Sequence, residues 1–342
     1  MTTPPPSPTT SNADPWPAIV RIASASPSTH NTQGWRLRRD APDRATLFFS
    51  HARTLPAEDR TGAFNVVNMG VFVRALELAA ASLGRTLEYD FGLGETDAPE
   101  GHTRVAGLRL GGVRPPDAAG AALMTRRRTG RFPYDGRPVP DEDLRSLRAV
   151  VEPAGHRFGW THDPELIGSI MELNADTIAD DLQERPIREE VRAWTRFTRR
   201  QAERTGDGLW AACMNQGPLG LWLTYRFPWV LRAAPVRRAA SKRDLASQGG
   251  TATIAWISGA IEERWQQLET GRMMLDWWLR LTERGVAMLP YGSLYTRRSA
   301  YREVAGLIGE DDWWIVVRLG YGPAPPRSFR LAPEALWIGE GS

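Results

Sequence analysis

From Asn65 to Leu83 the chain reads NVVNMGVFVRALELAAASL, with only Arg74 and Glu77 charged. A helix that is apolar around its whole circumference must be covered on every side, so this segment belongs at the centre of a domain or of an interface. Gly84 follows as a stop signal. A second long helical stretch runs up to Arg284, and Gly285 follows it in the same way. Strand-like runs come after both, one finishing in LRLGG and the other in VRLGY. Residues 65–110 and 253–320 therefore share a scheme with little identity, a repeat of topology rather than of letters.

The remaining elements fit an α+β chain. Pro17–Ser24 predicts a helical turn. Strands are expected at Ala45–Ser50, Thr86–Phe91, Val105–Leu110, His156–Asp163, Thr251–Ser258 and in WWIVVRLGY. Helices are expected at Ala119–Arg127 and at Pro138–Gly155, with Asp141 as N-cap and Gly155 beyond the end. Glu165–Arg204 is amphipathic and mostly helical, and Gly206–Pro235 reads as an irregular, aromatic-rich insertion. Its Trp210, Trp222, Tyr225, Phe227 and Trp229 could form a lid or simply pack internally. The expected organisation is a disordered lead-in over 1–14, a first half over 15–117, and a second half over 118–342 with a lid-like insertion at about 190–236.

Composition excludes several chemistries. A single cysteine, Cys213, cannot form an internal disulfide or a multi-cysteine metal site. The five histidines lack metal-ligand spacing, and there is no Walker loop, complete GxGxxG, HExxH or GxSxG. The lead-in MTTPPPSPTTSNADP has no apolar core of a signal peptide, and the stretch Gly220–Leu231 is too short to span a bilayer, so a cytoplasmic protein without a membrane partner is expected. Net charge is +3 and the pI near 9.3. Lys242 is the only lysine, so the basic balance is arginine background rather than a nucleic-acid patch. Hard chemistry would then belong to an organic cofactor.

One short segment, SPSTHNTQGW over Ser26–Trp35, is unusually dense in groups that both donate and accept. Ser28, Thr29, Asn31 and Gln33 suit the polar edge of a heteroaromatic ring, and equally suit a Ser/Thr/Asn-rich turn ahead of a strand. The segment resembles the S-x-N-x-Q-P-W motif of the nitroreductase family of FMN enzymes. RRRTGRF over Arg126–Phe132 resembles that family's R-R-S-x-R, with Arg127, Arg128, Thr129 and Arg131 in register. The C-terminal VVRLGYGPAPPRSFRL resembles its closing strand and basic pair, here Arg327 and Arg330, and RGVAMLPYGSLY resembles the glycine turn after its long helix, placing Gly292 and Ser293. Gly34 stands where the family has Pro.

The resemblance implies a nitroreductase-like fold made of two pseudo-symmetric α+β halves, an intramolecular fused dimer with central antiparallel sheets and long core helices. N-x-Q-x-W lies in the first half and the arginine motif opens the second, a distribution similar to the fused, Acg-like branch of the superfamily. It implies one FMN, with Ser28, Thr29, Asn31 and Gln33 at the ring side. Arg127, Arg128, Thr129, Arg131, Arg327 and Arg330 fall at the phosphate end, and the backbone of Gly292 and Ser293 faces flavin N5. It also implies hydride transfer to or from a small planar or activated substrate, NAD(P)H as electron donor, and a monomeric pseudo-dimer or a weak homodimer. A non-catalytic protein that merely holds FMN is the alternative.

Overall fold

The computed structural model describes residues 14–94 and 97–339; the lead-in expected over 1–14 lies, apart from Asp14, outside them. A short helix α1 (Trp16–Ala23) precedes a hairpin of β1 (Trp35–Ala41) and β2 (Arg44–Ser50). Helix α2 (Ala63–Ser82) follows, then β3 (Arg85–Phe91) and β4 (His102–Val113). These four strands form one antiparallel sheet in the order β1-β2-β4-β3.

Helices α3 (Ala119–Arg126) and α4 (Asp141–Val151) lead to β5 (Arg157–Thr161). Next come α5 (Pro164–Asp181), α6 (Arg185–Trp194), β6 (Thr195–Arg196), α7 (Arg199–Thr205), β7 (Leu209–Trp210), α8 (Pro218–Arg226) and α9 (Ala234–Ser247). Strand β8 (Thr253–Ser258), helix α10 (Arg264–Glu283), β9 (Ala287–Pro290), α11 (Gly292–Thr296), α12 (Arg298–Ile308) and β10 (Trp313–Gly320) complete the chain's elements. The second sheet has the order β5-β8-β10-β9, again antiparallel throughout and again first, second, fourth, third.

The all-round apolar helix finds its cover as its composition requires. α2 is buried along most of its length against α10 and the first sheet, and Phe72 stacks on Trp35 of β1 with ring centroids 4.3 Å apart. It is long and apolar enough to cross a membrane, but 67% of that stretch is buried inside the protein. The two 20-residue helices meet at glycines: a Cβ on Gly70 would lie 1.9 Å from the Leu268 carbonyl oxygen, and one on Gly271 2.0 Å from that of Val67. Only hydrogen at both positions allows this approach. Each helix then ends before a glycine in the left-handed region, Gly84 at φ 71° and Gly285 at φ 72°.

Some expectations are corrected. Asp141 is the first residue of α4, not its cap; its carboxylate instead accepts from the Trp160 indole N–H and pairs with Arg145. The helix stops at Val151, and Gly155, at φ 81°, closes a following 3-10 turn over Glu152–Ala154. The segment Gly206–Pro235 is not irregular: it contains β7, α8 and 3-10 turns at Ala211–Met214 and Pro228–Arg232, and α9 begins at its end.

Candidate functional site

The arginine motif begins where α3 ends. Arg128 turns back to donate through Nη1 to the carbonyls of Thr125, Arg126 and Arg127, closing the helix C-terminus with a cation. The chain then runs onto the second sheet: Gly130 N–H donates to the Met288 carbonyl at 2.8 Å, beside a bridge between Thr129 and Met288. Beneath this turn lies Arg318 of β10, fully buried. Its Nη2 donates to the carbonyls of Gly130 and Phe132, its Nη1 to that of Gln248, and its guanidinium stacks 4.1 Å from the Tyr134 ring. Sequence reasoning missed Arg318; the signal was a lone charge inside the apolar run WWIVVRLG.

Above the turn passes the segment after β10, bringing Arg327 and Arg330. Together Arg127, Arg128, Thr129, Arg131, Arg327 and Arg330 line one cleft of about 150 Å³, with Cys213 and Ala25 on its walls and no acidic side chain among the lining residues. The structure thus brings all six phosphate-end candidates together.

The cleft is short of negative charge. Arg127 is 6% exposed, and its Nε and Nη1 have no hydrogen-bond partner among the described residues. The Trp278 ring lies 4.3 Å from the guanidinium and offers it a favourable face. Burial, and then repulsion from Arg330, Arg128 and Arg131, holds its pKa well below the usual arginine range. Burial lowers Arg131 likewise and brings Arg330 down to about 10. A buried, unpaired cation is costly unless an anion joins it, so the arrangement is built for an anionic group.

The Ser28–Gln33 turn meets the cleft at Arg330, which donates through Nη1 to Asn31 Oδ1 at 2.7 Å and through Nε to the Ser24 carbonyl. The polar side chains of this turn bond to the chain itself. Asn31 Nδ2 donates to the carbonyls of Gly208 and Phe329, and Gln33 Nε2 to those of Asn31 and Gly206. Gln33 Oε1 accepts from Leu331 N–H at 3.0 Å, and the residue has no exposure. Both amides are struts fastening the turn to the C-terminal segment and to the loop after α7. Ser28 Oγ accepts from Gln33 N–H, and Thr29 pairs with Asn68 of α2. His30, Asn31 and Gln33 all have positive φ, a sharply folded backbone that these contacts hold in place. Also missed was Asp207, which ties Arg196 and Arg53 together while Arg53 donates to the Thr32 carbonyl.

Gly292 and Ser293 stand outside the cleft, opening α11 at the far end of β9. From Met288, which holds the arginine turn, β9 runs only to Pro290, and α11 opens two residues later. The insertion's aromatics divide. Trp210 packs on Phe329, and Tyr225 is buried against Phe197. Phe227 meets Trp222 and Trp229 edge to face, and both tryptophans are about half exposed.

Residues 124–322 match the model of the Nitroreductase family. The chain is 25% identical over 314 residues to "Putative NAD(P)H nitroreductase Rv3131" of Mycobacterium tuberculosis H37Rv, covering 89% of this chain and 84% of that one. Among solved structures it is similar to the FMN and NADPH-dependent nitroreductase NfnB from "sphigopyxis sp. strain HMH", with TM-score 0.39, 16% identity, and coverage of 65% of this chain and 99% of the other. It is also similar to a "putative nitroreductase" from Anabaena variabilis ATCC 29413, with TM-score 0.44, 12% identity, and coverage of 91% and 74%.

Proposed function

The chain belongs to the nitroreductase family, and on that premise we propose that it is an oxidoreductase holding one FMN in the arginine cleft. The carrying observation is Arg127, a buried guanidinium with two unpartnered nitrogens facing other arginines. Arg127, Arg131, Arg327 and Arg330 would hold the FMN phosphate, with the Thr129 hydroxyl as a neutral donor and Arg128 at the rim. The cleft supplies the charge and fork geometry of a phosphate site, so these residues fit the group.

When bound, FMN supplies hydride transfer through its N5. The chain's own tasks are positioning and exclusion of water. Arg318 and Tyr134 fix the arginine turn from below, and Asn31 fixes Arg330 from the side. The backbone of Gly292 and Ser293 is our choice for the N–H donors at the ring end, about one short strand away from the arginine turn. Its electron donor is NAD(P)H and its acceptor a small planar or activated molecule. The two halves, 15–117 and 118–342, form the pseudo-dimer that makes a composite site within one chain.

Purified protein titrated with FMN tests this. We expect quenching of flavin fluorescence, one FMN per chain, and bleaching of the bound flavin by NADH or NADPH. Failure to bind FMN overturns the reading. Binding with reduction by dithionite but by neither nicotinamide overturns the enzymatic part and leaves a flavin-holding protein.

A further inference from the structure

The turn that carries Asn31 also carries a pair of titratable groups that cofactor binding leaves unused. His30 stands at φ 49°, and its Nδ1 lies 3.3 Å from Oε2 of Glu58. Both atoms are buried and lack a well-aligned hydrogen-bond partner among the described residues, while the side chains keep 18% and 16% exposure. Such a pair in a structural role would normally be satisfied from all sides.

The surroundings decide its charge. Glu190 of α6 accepts from the backbone N–H groups of Ala57 and Glu58 at 2.9 and 3.0 Å, which fixes the segment and adds a carboxylate nearby. Burial, then Glu190, Asp181 of α5 and neighbouring Asp59, pushes the Glu58 carboxyl up to about 8. Burial, then Arg131, brings His30 down to about 4. The Tyr225 hydroxyl of α8 also interacts with Glu58. Around neutral pH the contact therefore joins a neutral imidazole to a protonated carboxyl, not two ions.

Its position is as telling. Arg131, whose charge bears on His30, lines the arginine cleft. Asp181, whose charge bears on Glu58, accepts from Ser293 at the start of α11. Asn31, next to His30, accepts from Arg330 of the cleft, and Arg60, two residues after Glu58, shares Glu184 with Arg297 at the end of α11, so the segments carrying the pair run between the two ends assigned above to phosphate and ring.

Resting on that reading, we propose that Glu58, oriented by His30, is the acid that protonates the acceptor as it takes up hydride. The acceptor gains a hydride from the reduced cofactor and a proton from Glu58: the Glu58 O–H bond breaks, a new bond to hydrogen forms at the acceptor's oxygen, nitrogen or carbon, and the carboxylate left behind recovers a proton from solvent. This selects acceptors that need both, such as quinones, nitro groups or activated double bonds, over pure electron carriers. Glu58 is then a catalytic residue and His30 a positioning residue.

The test uses FMN-loaded protein, reduced with dithionite and reoxidised anaerobically by 1,4-benzoquinone or, in parallel, by ferricyanide, which takes electrons without a proton. In Glu58→Gln we expect the ratio of quinone to ferricyanide rates to fall about ten-fold or more, with Glu58→Asp recovering part of it. In the wild type this ratio should decline as pH rises through about 8, and His30→Asn should shift that midpoint. Independently of FMN, infrared difference spectra of the wild type between about pH 7 and about pH 9 should show a carboxylic-acid band that is lost on ionisation and missing from Glu58→Gln. An unchanged rate ratio in Glu58→Gln with FMN bound, or no such band, overturns the proposal while leaving FMN binding intact. Loss of FMN binding by the wild type would instead overturn the cofactor reading.

Discussion

Gly70 and Gly271 occupy the eighth position of their respective helices, and each is pressed against the backbone three residues before the other, at Val67 and Leu268. Such reciprocity is the signature of a two-fold axis, along which a patch meets its own copy. The shared sheet order extends the relation beyond the helices. We read the chain as two copies of one half whose dimer interface has become an internal core.

That relation predicts matched damage. Gly70→Ala and Gly271→Ala would each place a methyl carbon about 2 Å from a carbonyl oxygen, which only separation of α2 from α10 can relieve. Each should destabilise the fold by about 2–3 kcal/mol or more, since backbone cannot move aside as a side chain can. Urea unfolding of the two variants should give similar losses. A neutral effect at either position would contradict the close approach.

Arg127 predicts opposite effects on the empty and the filled protein. Removing a buried, unpaired cation relieves desolvation and repulsion from Arg330, Arg128 and Arg131, so Arg127→Met should unfold no earlier than wild type without ligand. The same change removes charge-assisted hydrogen bonds of about 1.5–3 kcal/mol, and FMN affinity should fall about ten- to hundred-fold. Calorimetric titration and thermal unfolding with and without inorganic phosphate would show both. Phosphate should raise the midpoint of wild type more than that of the variant.

Much of this was legible in the sequence, and the legible part has a common character. The arginine motif, Arg327 and Arg330 could be placed in one site because each is a local pattern whose chemistry survives any small shift of backbone. The long helices declared themselves through α2, whose composition allows no exposed face. Asn31 and Gln33 were assigned to the ring side by the resemblance, while their bonds in the fold run to the chain itself. An amide's residue type does not say whether it meets a ligand or a carbonyl, and here the carbonyls come from Gly206, Gly208 and Phe329, far along the chain. Glu58 was not legible at all, since its character comes from burial beside Glu190, Asp181 and Asp59 rather than from any motif.

The strut role of Gln33 has its own consequence. Gln33→Ala would leave the Leu331 N–H and the Gly206 carbonyl without this partner, a loss of about 1–3 kcal/mol. The midpoint of urea unfolding should fall with little change in slope. The absorption maxima of bound flavin should stay where they are in wild type. A shifted flavin spectrum with unchanged stability would instead restore the amide to the ring.

The pH dependence of stability follows from the His30–Glu58 contact with opposite signs on its two sides. Glu58 titrates near 4.5 when exposed and near 8 in the fold, so the native state holds its proton more tightly than the unfolded chain does. Its contribution is fully present below about 4.5 and is lost as pH rises through about 8. His30 titrates near 6.5 when exposed and near 4 in the fold, so the native state resists protonation, and stability is lost as pH falls from about 6.5 through about 4. Between them these groups favour mildly acidic conditions. Between about pH 4.5 and 6.5 the two slopes oppose each other, so Glu58→Gln should flatten the decline above about 6.5 and steepen the acid decline below it. His30→Asn, which tolerates the positive φ, should remove the acid decline and let the Glu58 decline begin near pH 4.5 instead of near 6.5. Urea unfolding at a series of pH values separates the limbs, and equal slopes in wild type and Glu58→Gln above about pH 5 would show that Glu58 is already ionised in the fold.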